Sequence, residues 1–497
     1  MKSRALLLCG LALFCTAANG QPDYQRNATP VRQALSDPAI VHALSSIKPS
    51  QIKETVQTLV GFGTRNTLTS MQADLPAGQG INAAADWIVE QFDAISRQCG
   101  GCLEVKRDTF VADPASGESW ARRIPRPTKI TNVYAVLRGS DPVLATRMVL
   151  VTGHYDSINS NVFASWSDTS GAAPGANDDA SGVAVSLECA RALSKLKFPS
   201  TIVFAAVAGE EQGLVGSEHL AKLAKAEGWK LEAVLNNDIV GGNTTPGDAL
   251  QLKDRVRVFS EGLPMSANPE EIRQIRALGK ENDSPSRELA RAIEDTARAY
   301  FHGTAPEPRF SAFLVNRPDR YLRGGDHSSF NREGFAAVRF TEWREDYNHQ
   351  HKNIVRPAAG SGEPVQGDLL EFVDFNYVAH VARLNAATLA TLAFAPGEPQ
   401  KVAIENKRTE NVTALTWDPP LGGGVAHYDV LWRETTAQDW QYVKEVSPAS
   451  PEAELSITLP ISKDNVIFGI RAVDAKGHRG LVVVPWTAGT GHSAIQQ

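Results

Sequence analysis

The sequence predicts a mixed α/β fold, with a largely parallel central sheet flanked by helices and an all-β sandwich after it. Four short apolar runs, RMVLVTGH, TIVFAAVAGE, LEAVLNND and AAVRFTEW, each run into polar or charged residues, as buried parallel strands do. Helical patterns separate the first three runs, which is the alternation of a doubly covered sheet. After AFAPGEP the texture changes to short apolar–polar alternations broken by turn residues, the signature of an antiparallel sandwich.

Taken in chain order, residues 1–20 read as a leader. Lys2 and Arg4 precede an apolar run over 5–14, and Ala18 and Gly20 are the small residues that a signal peptidase reads. So short a run does not span a bilayer, and no later stretch is long and apolar enough to do so. Phe14 beside Cys15 argues against lipid attachment, so an exported protein without a membrane span is expected, periplasmic or secreted. In such an oxidising compartment Cys99 and Cys102 of C-G-G-C are expected to form a local disulfide, and Cys189 to fill a helix interior.

From about 37 to 105 the pattern is mainly helical, with Ile81, Ala85, Ile88 and Phe92 on one face. The preceding Gly78-Gln79-Gly80 imitates a dinucleotide-binding loop, but no strand leads into it, so it reads as an ordinary helix start. Leu187, Ala190, Leu193 and Leu196 mark a helix starting near Val183, and Leu214, Leu220 and Leu223 mark the next. Residues 246–309 read as a polar insertion with a helix over 289–300 and no legible chemistry. The expected organisation is a leader over 1–20, an α/β unit over 21–396 and a sandwich over 397–497.

The 497 residues carry a formal net charge of −6, and the basic residues are dispersed, which argues against a nucleic-acid partner. The acids and histidines instead gather where the predicted parallel strands end: His154 and Asp156 in GHYDS, Asp178 and Asp179 in GANDDASG, Glu210 and Glu211 in AGEEQG, and Asp238 in NNDIVG. A histidine-rich run, EDYNHQHKN, follows the last central strand. Open sheets place their sites at this edge. Singly, each residue has a structural explanation; together they are electrostatically costly without cations between them. Imidazole and carboxylate donors without thiolate fit zinc, with manganese and cobalt compatible. Two such ions need a bridging carboxylate, and the pair Glu210–Glu211 suits one acid on metal and its neighbour aimed at the attacking water.

GHYDS, GANDDASG, GEEQGLVGS, NNDIVG and GDHSSF occur in the order found in the co-catalytic zinc aminopeptidases of clan MH, and the resemblance covers roughly residues 40–395. It implies the zinc-exopeptidase fold and two zinc ions. It also implies that Asp178 bridges them, that His154 and Asp238 bind one, and that Glu211 and a late histidine bind the other. Asp156 would orient the His154 ring, Glu210 would be general base, and Asp179 would hold the tight peptide that lets Asp178 reach both ions. His349 and His351 both fit the last position; the exported branch of the family points to His351, although Asn353 stands where an acid is common there. His327 is a candidate for the pocket wall. Trp417 in ALTWDPP, Tyr428 in HYDVLWRE and the run VIFGIRAVDAKG resemble a fibronectin type III domain over 398–490, with Val466 where a corner tyrosine is usual.

The function this implies is an exported aminopeptidase acting on peptides, with apolar N-terminal residues such as leucine preferred. Carboxypeptidases, dipeptidases and glutaminyl cyclases share these motifs, and Arg323 or Arg344 would supply the cation a carboxypeptidase needs. A receptor-like binding protein is the non-enzymatic alternative, disfavoured by the intact ligand series. In that alternative the sandwich would be the binding part; in the enzyme it is expected to contact a polymer or cell surface, or to pack beside the active-site mouth. No H-E-x-x-H and no G-x-S-x-G motif is present.

Overall fold

The structure is a computed structural model that describes residues 21–26, 28–302, 309–406, 410–448 and 455–488. The expected leader, 1–20, lies outside the described residues. In chain order the strands begin with β1 (Thr29–Pro30), β2 (Leu103–Ala112), β3 (Thr128–Leu137), β4 (Arg147–His154), β5 (Thr201–Val207) and β6 (Lys230–Asn237). They continue with β7 (Arg255–Ser260), β8 (Ser311–Val315), β9 (Ala337–Thr341), β10 (Gln400–Ile404) and β11 (Thr413–Asp418). The last are β12 (His427–Glu434), β13 (Tyr442–Val446), β14 (Leu455–Leu459), β15 (Val466–Val473) and β16 (Trp486–Thr487). The helices are α1 (Pro38–Leu44), α2 (Pro49–Gly61), α3 (Gly80–Gln98), α4 (Ala180–Leu193), α5 (Val215–Ala226), α6 (Pro269–Ala277), α7 (Pro285–Tyr300), α8 (His327–Arg332) and α9 (Phe375–Phe394).

Eight strands form one sheet in the order β2–β3–β5–β4–β6–β9–β7–β8. Its centre, β5–β4–β6–β9, is parallel and consists of the four apolar runs read from the sequence. These strands are buried on both faces: α1 to α4, α7 and α9 cover one side, α5 and α8 the other. Helix α9 is apolar nearly all round because it packs against α4, α2, α7 and β4 at once.

Both flanks of the sheet depart from the sequence reading. The antiparallel pair β2–β3 closes one edge, and β2 alternates charged with apolar residues because one face meets water. On the other flank, the stretch 246–309 is not a mere insertion. It supplies β7, which pairs antiparallel with β9 and parallel with β8, and α7, which packs beneath them. Its strand RVRVFS was illegible because arginine alternates with valine, and Arg257 is charge-paired with Glu345 at 2.9 Å.

The C-terminal strands form two four-stranded sheets, β1–β13–β12–β15 and β14–β11–β10–β16. Trp417 and Tyr428 meet edge to face between them, 5.5 Å apart. The N-terminal strand β1 pairs with β13 here, not with the helices that follow it in the chain. Buried charges join this half to α7 and the loop before it: Arg433 pairs with Asp283, and Trp440 Nε1 donates to Glu288. Lys280 Nζ donates to the Val484 and Pro485 carbonyls and lies 3.7 Å from the Trp486 ring centroid. The disulfide Cys99–Cys102 is formed, and Cys189 is buried in α4.

Candidate metal centre and catalytic cleft

The carboxyl ends of the parallel strands deliver the predicted residues to one place. His154 ends β4, Glu210 and Glu211 follow β5, and Asp238 follows β6. Asp178 and Asp179, joined by a cis peptide, sit just before α4. The helix can come this close because two glycines meet: a Cβ on Gly182 would lie 2.2 Å from the Asn237 carbonyl oxygen, and one on Gly153 2.5 Å from the Gly182 backbone.

The two adjacent aspartates divide their work. Asp179 caps α4, accepting from the Gly182 amide (2.9 Å), and also accepts from the His154 (3.0 Å) and Ile239 (3.3 Å) amides. One fully buried carboxylate thereby ties the ends of β4 and β6 to the start of α4. Asp178 faces the cleft between two imidazoles, its Oδ1 3.1 Å from His154 Nε2 and its Oδ2 2.9 Å from His351 Nε2. Asp238 lies 3.9 Å from His154 Nε2, and Glu211 lies 2.8 Å from His351 Nε2.

Two groups of potential metal-binding atoms result, His154/Asp178/Asp238 and Asp178/Glu211/His351, each with its atoms within 4.8 Å of one another. His154 Nε2, His351 Nε2 and Glu211 Oε1 are buried and, among the described residues, make no hydrogen bond despite this proximity. Atoms that crowd together without hydrogen-bond geometry, in a set of imidazoles and carboxylates, fit ligation of divalent cations. Backbone strain accompanies the arrangement: Ile239, after Asp238, and His351 itself adopt φ of 59° and 52°, seldom occupied by such residues.

The electrostatics follow from burial and proximity. Burial opposes charge on His154, yet Asp156 and Asp178 raise its basicity well above that of a free imidazole. Burial likewise opposes charge on Asp178, but His351 and His154 hold it well below the usual carboxylate range. Glu210 is raised well above that range, by burial first and then by Glu211 and Asp238. Asp156 meets the far ring nitrogen of His154 with its backbone carbonyl, which accepts from Nδ1 at 3.2 Å, and with Oδ1 3.4 Å away; its carboxylate also accepts from the Glu210 and Glu211 amides at 3.3 Å. It thus orients the ring and pins the turn carrying both glutamates.

The second-choice histidine and the pocket-wall candidate lie elsewhere. His349 stacks on Phe372 at 3.5 Å and contacts Asn243. His327 is fully buried, donates to the Pro318 carbonyl at 2.7 Å and does not line the cleft. Arg344 pairs with Asp248, whereas Arg323 does line the cleft.

Several supporting residues escaped the sequence reading. Asp368 accepts from the Asn177 (2.8 Å) and Asp178 (2.7 Å) amides. Fully buried Arg65 donates to the carbonyls of Pro174, Gly175 and Tyr155, gripping the same loop. Buried Arg339 reaches from β9 to Asp238 at 2.8 Å and to Asp319 at 3.3 Å. The site opens into a cleft of about 630 Å³, walled by Ile158, Phe163 and Trp166 with Arg123, Arg320 and Arg323 around it.

Comparison with known proteins agrees with this geometry. Residues 132–357 match peptidase family M28. A probable zinc metalloprotease of Pyricularia oryzae is 41% identical over 481 residues, covering 95% of this chain and 89% of that protein. A probable zinc metalloprotease of Pyrenophora teres f. teres is 41% identical over 450 residues, covering 90% and 86%. Among solved structures, the LapA aminopeptidase of Legionella pneumophila is a distant likeness, with a TM-score of 0.47 and 18% identity over 74% of this chain and 78% of that one. The chain therefore belongs to peptidase family M28.

Proposed function

We propose that the chain is a zinc-dependent aminopeptidase that removes N-terminal residues from peptides. The observation that carries this reading is the shared carboxylate. Asp178 belongs to both ligand groups, while Glu210 lines the same cleft and belongs to neither. The probable zinc metalloproteases among its relatives support zinc as the metal.

His154, Asp178 and Asp238 would hold one ion, and Asp178, Glu211 and His351 the other. When bound, such ions supply Lewis-acid polarisation of the scissile carbonyl and acidify water. The chain's own residues do the rest. Asp156 keeps the His154 ring in the tautomer that leaves Nε2 free for metal. Glu210 takes the proton of the attacking water and delivers it to the leaving amine. Burial raises the proton affinity of Glu210, which suits a carboxylate that must accept a proton and then release it. The negative charge of Glu210 and Asp238 favours the free N-terminal ammonium of the substrate. Ile158, Phe163 and Trp166 offer an apolar wall to a side chain such as leucine.

Export is part of the proposal, supported by the leader-like residues 1–20 and the Cys99–Cys102 disulfide. We read the C-terminal sheets as fibronectin type III-like, a surface for polymer or cell contact. Among the described residues no helix is long and apolar enough to cross a membrane.

The test is hydrolysis of a panel of aminoacyl 4-nitroanilides by the full chain. Activity should vanish with a chelator, return with zinc, and be absent when the substrate amine is acetylated. Equal hydrolysis of the acetylated amides would overturn the aminopeptidase reading, and indifference to chelation would overturn the metal.

A further inference from the structure

The arginines around the site fall into two groups. Arg339 pairs with Asp238 and Asp319, Arg320 with Asp319 (3.1 Å) and Glu345 (2.8 Å), and Arg344 with Asp248 (3.3 Å). Arg123 and Arg323 also line the cleft, but among the described residues neither pairs with a carboxylate.

These two are held in place by other means. Arg123 Nη1 donates to the Glu211 carbonyl at 3.3 Å, and its guanidinium lies 5.4 Å from the Trp166 ring centroid. Arg323 lies 5.4 Å from the Tyr347 ring centroid. Each aromatic contact orients a guanidinium without neutralising it, and the remaining N–H groups keep their fork for a planar anion. Arg123 also borders an adjoining recess of about 420 Å³, so it stands between the glutamate turn and the next available volume. Two cations with no acidic partner among the described residues, at the mouth of a site floored by carboxylates, define a charge pattern: ammonium at the base, anion at the rim.

We propose that Arg123 and Arg323 bind a substrate carboxylate, so that the preferred substrates are short peptides with a carboxylate one or two residues beyond the scissile bond. The short spacing reflects an anchor attached beside one of the ligand groups. Arg123 is bonded to the backbone of Glu211, and an extended chain advances about 3.3–3.6 Å per residue. A cleft of about 630 Å³ is of small-ligand size. The carboxylate has two sources, the C-terminus of a di- or tripeptide or an Asp/Glu side chain.

This inference rests on the hydrolytic reading of the same cleft, and the experiment separates the two. The zinc-loaded full chain is assayed on Leu-Ala against Leu-Ala-amide, and on Leu-Asp-amide against Leu-Asn-amide. A charge-assisted hydrogen bond should raise kcat/KM for the carboxylate-bearing member by about tenfold to a hundredfold, chiefly through KM. The first pair reports a C-terminal source and the second a side-chain source; preference in either supports the proposal. Arg123→Met and Arg323→Met should each bring the ratio towards one, with partial recovery in the lysine variants. Arg344→Met should leave it as in the wild type. Equal kcat/KM within both pairs, or a preference surviving both methionine variants, overturns the inference while leaving the peptidase reading intact. Failure to cleave any member overturns both.

Discussion

Arg339→Met probes the support behind the metal centre. The Arg339 side chain is 0% exposed, and its partners Asp238 and Asp319 are 3% and 4% exposed. Removing it affects those partners unequally. Burial alone would raise Asp319, but Arg339, His327 and Arg320 hold it far below the usual carboxylate range, and Arg320 remains in the variant. Asp238 is left with His154, 3.9 Å away, and the longer-range field of Arg320, with which it makes no ion pair among the described residues. One buried carboxylate therefore loses its main counter-charge, which costs about 3–5 kcal/mol. With a slope of roughly 3 kcal/mol per molar urea or steeper, the midpoint of the metal-free protein should fall by about 1 M. Zinc should narrow the gap, because a cation at Asp238 replaces the lost charge and no longer faces the guanidinium. Urea unfolding at pH 7, with chelator and then with zinc, measures both. A variant unfolding with the wild type in chelator, or losing more stability with zinc than without, would refute the reasoning.

Glu210→Gln should lower turnover on aminoacyl amides by about 10²–10⁴-fold with zinc content unchanged; loss of zinc along with activity would make Glu210 a ligand instead. Lys280 supplies a pH test in the joint between the two halves. Burial pushes its ammonium down to about 7, against the pull of Asp283 and Glu288, from an ordinary value of 10.5. Between those values the unfolded chain carries the extra proton, so stability rises with pH there; below about 7 both states are charged and the burial cost is constant. Wild-type stability relative to Lys280→Met should thus climb by about 1.4 kcal/mol per pH unit from pH 7 to 10, and a flat difference would place Lys280 in contact with water.

How much was legible depends on how local each signal is. His154, Asp156, Asp178, Glu210, Glu211 and Asp238 stand beside the glycines and apolar runs that shape strand ends, so a few consecutive residues disclose both the turn and its cargo. His351 against His349 was a harder choice, because two imidazoles share one loop. The structure separates them by backbone conformation, turning His351 towards Asp178 at φ 52° while His349 stacks on Phe372. Arg65, Arg339 and Asp368 were invisible because each acts across long sequence separation on another segment's backbone or carboxylate. Arg65 reaches the Gly175 carbonyl 110 residues away, and Asp368 reaches the Asp178 amide 190 residues away. The strands missed, β2, β3, β7 and β8, are the four that flank the parallel centre, and in β2 and β7 interspersed charges obscure the apolar run that betrays a buried strand. Pairing of Thr29–Pro30 with β13 was equally hidden, since two residues carry no periodicity.

The central claim is that Asp178 serves two ions at once. Zinc per chain, measured by elemental analysis after dialysis against trace zinc, tests it in the wild type and in Asp178→Asn. Two ions in the wild type and loss of both in a folded variant is the expected result. One ion in the wild type, or two tightly held ions in Asp178→Asn, would contradict it.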